Sequence, residues 1–412
     1  MNTTIRIKLS VMMFLEFFIW GAWFVTLGTF LASNLHASGS ETAAVFSTQS
    51  WGAIIAPFII GLIADRYFNA EKILGILHLI GAFLMYQMYV SDDVSIFYSY
   101  VLGYMILYMP TLALVNSVSF NQMNDPEKEF ANIRVWGTIG WILAGLSISF
   151  LFHWDSAEGV TQGLLKNTFL LAGIAALILG LFSFSLPKTP PKVSDEKIKI
   201  GDIIGLDALK LLKDKNFAVF FISSILICIP LAFYYQNAHP FLTEAGVENP
   251  TGKMAIGQIS EALFLLLIPV FFTRFGFKKT ILVGMLAWAI RYVLFAYGNG
   301  SDLSFMLIVG IALHGICYDF FFVSGQIYTN SKAGEKYKSA AQGLITLATY
   351  GIGMLIGFAV AGWITDNYKT LDGAIDWRMV WIIPAGIALG VFLLFALLFN
   401  DKTKTEEEIP SV

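Results

Sequence analysis

Charge is scarce in this chain. Of 412 residues only 13% are Asp, Glu, Lys or Arg, against 57% hydrophobic and 15% aromatic, and the mean hydropathy is +0.69. A soluble domain carries about 25% charged residues, so this composition cannot wrap a core in a water-facing surface. It reads as an all-α polytopic membrane protein. An excess of positive charge is also missing: 26 Lys and Arg face 29 Asp and Glu, a formal net of −3, which provides no field for nucleic acid. Cysteine is nearly absent. Cys228 and Cys317 lie inside apolar runs without metal-ligand spacing, so neither a disulfide framework nor a metal site is expected, and no cofactor is implied.

What the chain has in abundance is apolar runs long enough to cross a bilayer core of roughly 30 Å, which takes about 20 residues of helix. Twelve are expected, at 7–32, 43–64, 72–90, 95–121, 131–153 and 166–187, then 216–243, 254–275, 280–298, 303–330, 338–366 and 376–399. The first follows Arg6 and Lys8 and outruns a signal-peptide core, so it is expected to be retained as a span. A polar stretch with seven lysines and Lys188-Thr-Pro-Pro-Lys192 divides the chain into a six-helix bundle at 1–187, a linker at 188–215, a second bundle at 216–400 and a tail at 401–412.

Positive charge marks the cytoplasmic side of membrane proteins. Twenty of the 26 Lys and Arg fall in segments on the same side as the N-terminus, including those lysines. The opposite side has only Lys166, Lys253, Lys369 and Arg378. Both termini and the linker are therefore expected in the cytoplasm. The loop after the second span reads Gly61-Leu-Ile-Ala-Asp65-Arg66, and Thr273-Arg274-Phe-Gly276-Phe-Lys278-Lys279 takes the equivalent place in the second half. The first resembles the loop signature of the major facilitator superfamily, in which an Asp/Arg pair latches neighbouring helices, here Gly61, Asp65 and Arg66. That resemblance implies two six-helix bundles with a site at the midplane between them.

Ionisable groups inside spans are costly and normally face a cavity, pair, or act in transport. Gln258 and Glu261 in the eighth span stand at i, i+3 on one helix face, an amide beside a carboxylate, suited to hydroxyl-rich or heterocyclic ligands or else to a packing ion pair. In the tenth span His314 and Tyr318 stack at i, i+4, with Asp319 about 100° away. An imidazole and a carboxylate beside water suit proton exchange, and a structural Asp319–Arg pair is the alternative. The His-x4-Asp string also matches an acyltransferase signature, but that chemistry belongs to a soluble or interfacial domain, so no enzyme is expected. Arg134 and Thr138 share a face of the fifth span, where Arg134 either snorkels to headgroups or enters a site, and Gly137 and Gly140 suggest close helix contact. Glu16, Trp20 and Trp23 follow at i, i+4, i+7 in the first span, a wall on which a flat base could stack. Arg291 lies deep enough to need a structural partner.

Several strings together resemble the nucleoside:proton symporter family of the major facilitator superfamily. They are Trp20-Gly-Ala-Trp23 with Thr26-Leu-Gly28, Met109-Pro110-Thr111-Leu-Ala-Leu-Val-Asn116, Ile133-Arg134-Val-Trp136-Gly-Thr138-Ile-Gly140, Gly205-Leu-Asp207-Ala, Gln258-Ile-Ser-Glu261, Trp288-Ala-Ile-Arg291, Asp319-Phe-Phe and Ala341-Gln342-Gly343. They run in order through nearly the whole chain. The resemblance implies proton-coupled nucleoside import across a bacterial inner membrane, by a monomer whose partners are nucleoside, proton and bilayer. Carried over by position, it implies a substrate site of Arg134, Thr138, Gln258, Glu261, His314 and Tyr318, with Trp23 or Tyr318 stacking on the base and Asp319 or Glu261 exchanging the proton. His314 stands where the family has a tyrosine and Tyr318 where it has a phenylalanine, and Phe233-Tyr-Tyr235-Gln236-Asn237 replaces an amide-bearing stretch. A symporter of sugars or another small polar metabolite is the alternative the same pocket chemistry permits.

Overall fold

The computed structural model describes residues 2–59, 68–191, 206–370 and 373–400. The latch residues Gly61, Asp65 and Arg66 lie outside the described residues, as do 192–205 of the linker and the tail from 401.

Nearly everything described is helix, because a backbone in hydrocarbon must satisfy its polar groups within its own segment. Among the described residues ten helices are long and apolar enough to cross a membrane. One of them, Pro250–Tyr297, runs for 48 residues and breaks at Gly276, whose φ of 73° and ψ of 174° no helix contains; positive φ is cheap only for glycine. It therefore supplies two spans, α8 (250–275) and α9 (277–297). Gly39–Ile59, α2, is the twelfth, less apolar because Thr42, Ser47, Thr48, Gln49 and Ser50 lie buried against protein. The others are α1 (Thr3–Ser33), α3 (Ala70–Val90), α4 (Val94–Phe120), α5 (Glu129–Leu151), α6 (Lys166 precedes it; Asn167–Ser183), α7 (Lys215–Glu244), α10 (Ser304–Gly334), α11 (Ala340–Asn367) and α12 (Trp377–Leu398).

Short polar caps fix several ends where helices emerge. Asp93 accepts the Ser95 and Ile96 amides, Asp214 that of Phe217 and Asp376 that of Met379, each satisfying donors a helix start leaves open. Outward faces carry large apolar side chains such as Leu266 and Leu397, as lipid contact demands. Close helix contact through glycine is observed where α1 meets α5: a Cβ on Gly140 would lie 2.2 Å from Phe14 O.

Helices α1–α6 pack on one another, and α7–α12 do likewise. Between these groups α2 lies on α11 and α5 on α8. The face away from the termini is tied shut. Asp366 of α11 accepts the amides of Gly39 (2.7 Å) and Ser40 (2.8 Å) and the Ser40 hydroxyl at the start of α2. Asp155, just beyond α5, accepts the Thr251 amide (2.9 Å) at the start of α8, where Gly252 N donates to Ser149 Oγ (2.7 Å). His239 of α7 bonds Thr29 Oγ1 (2.6 Å) of α1 and Thr251 Oγ1 (2.8 Å) of α8.

Candidate functional site: a cavity between the helix groups

A cavity of about 800 Å³ lies between the two groups of helices. From one side α1, α2, α4 and α5 contribute Phe17, Trp20, Gln49, Asn116, Arg134, Thr138 and Trp141. From the other, α7, α8, α10 and α11 contribute Tyr235, Gln258, Glu261, His314, Tyr318, Thr346 and Tyr350.

Each wall is placed by local structure. Gln258 and Glu261 share the inward face of α8, as one helical turn requires. Arg134 sits half-buried on α5 with its guanidinium 4.1 Å from the Phe17 ring centre, so it enters the cavity rather than snorkelling away. Gly137 beside it lets α1 approach: a Cβ there would lie 2.6 Å from the Phe17 ring. Arg134 and Glu261 thus offer opposite charges to the same cavity from opposite sides. His314 Nε2 stands 3.9 Å from Glu261 Oε2, beyond direct hydrogen-bond range. Tyr318 and Tyr350 join through their hydroxyls, linking α10 to α11. Both lie next to or within π-helical segments, Asp319–Val323 and Leu347–Gly353, a distortion frequent at functional sites.

Of the residues expected from the sequence, Arg134, Thr138, Gln258, Glu261, His314 and Tyr318 line one cavity. Trp23 does not. Its indole is fully buried among Phe24, Tyr104 and Phe169, while Trp20 faces the cavity instead. Asp319 is buried behind the wall, and its Oδ2 has no protein partner; an Asp319–Arg ion pair is not found among the described residues. Glu16 leaves the wall altogether: it lies inside the first group, with Oε2 2.8 Å from His78 Nε2 and Oε1 accepting from Thr111 Oγ1 at 2.6 Å. Arg291 has a partner, but it is His314 at 3.0 Å and not an acid.

Sequence reasoning passed over Gln49, Asn116, Trp141, Thr346 and Tyr350, and named Tyr235 only within the Phe233–Asn237 stretch. Asn116 closes one of the family-like strings, and that was a usable signal. Gln49 and Tyr350 had none, since a polar residue on a polar-rich helix and one tyrosine among 16 do not announce a cavity. Gln49 Oε1 and Trp20 Nε1 have no protein partner, so the wall holds an acceptor and a donor besides its charged groups.

The family described as Nucleoside H+ symporter matches residues 1–404. YegT of Escherichia coli K12 is 42% identical over 98% of this chain and 95% of its own length. The xanthosine permease of the same organism is 33% identical over 96% of each. The crystal structure of the nucleoside transporter NupG superposes with a TM-score of 0.85 at 30% identity, covering 98% of this chain and all of that one, 100%. The fold is that of a major facilitator superfamily transporter, and the chain is a multi-pass membrane protein of a transporter family, not an enzyme.

Proposed function

Since the chain belongs to the nucleoside H+ symporter family, we propose that it imports nucleosides with protons across the bacterial inner membrane, as a monomer with both termini in the cytoplasm. The carrying observation is the cavity, whose wall sets an amide and a carboxylate on α8 opposite a guanidinium and a hydroxyl on α5, with aromatic faces between. About 800 Å³ falls within the range of small-molecule sites. Ribose offers hydroxyls that donate and accept, and Gln258, Glu261 and Thr138 answer in kind. A nucleobase offers a flat face and polar edges, for which Trp20, Trp141, Tyr235 and Tyr318 provide stacking surfaces; Trp20 takes the part first expected of Trp23. Arg134 donates to acceptor oxygens of the bound ligand.

Glu261 exchanges the coupling proton at the cavity wall, and Asp319 behind it is the second carrier. Ionised Glu261 attracts Arg134 across the cavity; its protonation, or a ligand placed between the two, weakens that attraction and frees the bundles 1–187 and 216–400 to rock about the site. A sugar would use the hydroxyl-binding groups but has no flat base to lie between the aromatic faces. Uptake of labelled uridine by cells lacking their own nucleoside transporters tests the reading. Uptake abolished by a protonophore, and competed by nucleosides but not by sugars, is expected; competition by sugars alone refutes it.

A further inference from the structure

Arg291 is fully buried in the second group of helices, and no carboxylate among the described residues pairs with it. Its guanidinium lies 3.6 Å above the Tyr234 ring centre, with Tyr292 and Phe295 around it. Nη1 is 3.0 Å from His314 Nδ1, whereas Nε and Nη2 have no hydrogen-bond partner. A guanidinium only donates. For this contact to be a bond, His314 Nδ1 must be the bare, accepting nitrogen, and the ring proton must sit on Nε2. A proton on Nδ1 would be driven against an N–H of a permanent cation.

The ring has little freedom to escape. It stacks on Tyr234 with centroids 5.2 Å apart and 26° between planes, leans on Tyr318, and packs against α8 so closely that a Cβ on Gly257 would come 3.2 Å from its own Cβ. With Nδ1 committed to Arg291, Nε2 lies on the side of Glu261 at 3.9 Å, on the cavity wall.

We propose that Arg291 is a positioning residue that holds His314 as a neutral Nε2–H donor, so that His314 selects a nucleoside carrying a hydrogen-bond acceptor at that point. The inference rests on the nucleoside reading for its ligand but not for its geometry. At 3.9 Å Glu261 Oε2 does not accept a direct hydrogen bond from Nε2, which leaves that donor for a ligand acceptor reaching the wall from the cavity. Glu261 and Asp319 remain the groups that move the proton, and His314 supplies specificity.

The test is nitrogen-15 NMR of the full-length protein labelled at histidine, with the His314 signals assigned from their loss in His314→Gln. A protonated Nε2 and a bare Nδ1 are expected in the wild type and in Arg291→Lys, and a mixture of tautomers in Arg291→Met. Protonation of Nδ1 in the wild type overturns the proposal without any reference to transport. In uptake assays Arg291→Met raises the KM for uridine about two- to fivefold, because only a fraction of the protein then carries the donating tautomer, and Arg291→Lys restores most of it. An unchanged KM in Arg291→Met overturns the positioning role. A wild type that takes up no nucleoside while showing the Nε2 tautomer counts against the nucleoside reading and leaves the tautomer standing.

Discussion

Glu261 combines two properties that seldom meet in a membrane span: a carboxylate on the wall of a cavity and a guanidinium, Arg134, on its opposite wall. Replacing it with Gln keeps shape and hydrogen bonding but removes the exchangeable proton. Glu261→Gln is therefore expected to lose accumulation against a gradient while retaining exchange of labelled for unlabelled nucleoside, read by counterflow in vesicles. Asp319→Asn is expected to lose accumulation as well, through the buried carboxylate whose Oδ2 lacks a protein partner. Wild-type accumulation in both variants removes them from the coupling role. At this scale the sequence was most legible where one helix carries the whole pattern, as with Gln258 and Glu261. It was least legible where a residue's fate depends on a distant segment. Trp20 and Trp23 differ by about 60° around the helix axis, enough to send one to the cavity and the other into the core. Glu16 turned inward because His78, 62 positions away, meets it.

Helix ends on the face away from the termini exchange roles between the halves. A carboxylate of α11 caps α2, and a carboxylate beyond α5 caps α8; each cap satisfies open donors and favours the positive end of a helix dipole. Both contacts cross between the halves, so both must break when that face opens. The helices there are too close for side chains: a Cβ on Gly39 would lie 2.6 Å from Gly362 O, and one on Gly362 2.5 Å from Gly39 O. Losing an N-terminal cap costs roughly 1 kcal/mol. Asp366→Ala is accordingly expected to speed hydrogen exchange at Gly39 and Ser40 about fivefold, measured by mass spectrometry; unchanged exchange would show that the cap does not hold the face closed. Within the first half, Gly140→Val forces a Cβ into the Phe14 carbonyl and is expected to lower the melting temperature, at a cost of about 1–3 kcal/mol. Helix existence was readable from apolar length, and even α2 was found, although its polar residues face protein. The π segments at Asp319–Val323 and Leu347–Gly353 were not readable, since a local widening of a helix leaves no compositional trace.

Across the described residues two groups of helices meet on one face around a polar, aromatic-lined cavity. The lysines between the sixth and seventh spans and the alternation of loop charge along the chain are the features from which a division into halves was expected. The composition of the cavity was only half legible: the sequence marks ionisable residues that cannot face lipid, but it gives no comparable mark to Thr346 or Tyr350, which reach the cavity only through the way whole helices lean together. The central claim is that a proton gradient drives a nucleoside through this cavity. Purified protein in vesicles with an imposed pH gradient, acid outside, tests it most directly. Accumulation of labelled uridine above its external concentration, abolished when the gradient is collapsed, is the expected result; equilibration to the same level with and without the gradient would contradict proton coupling.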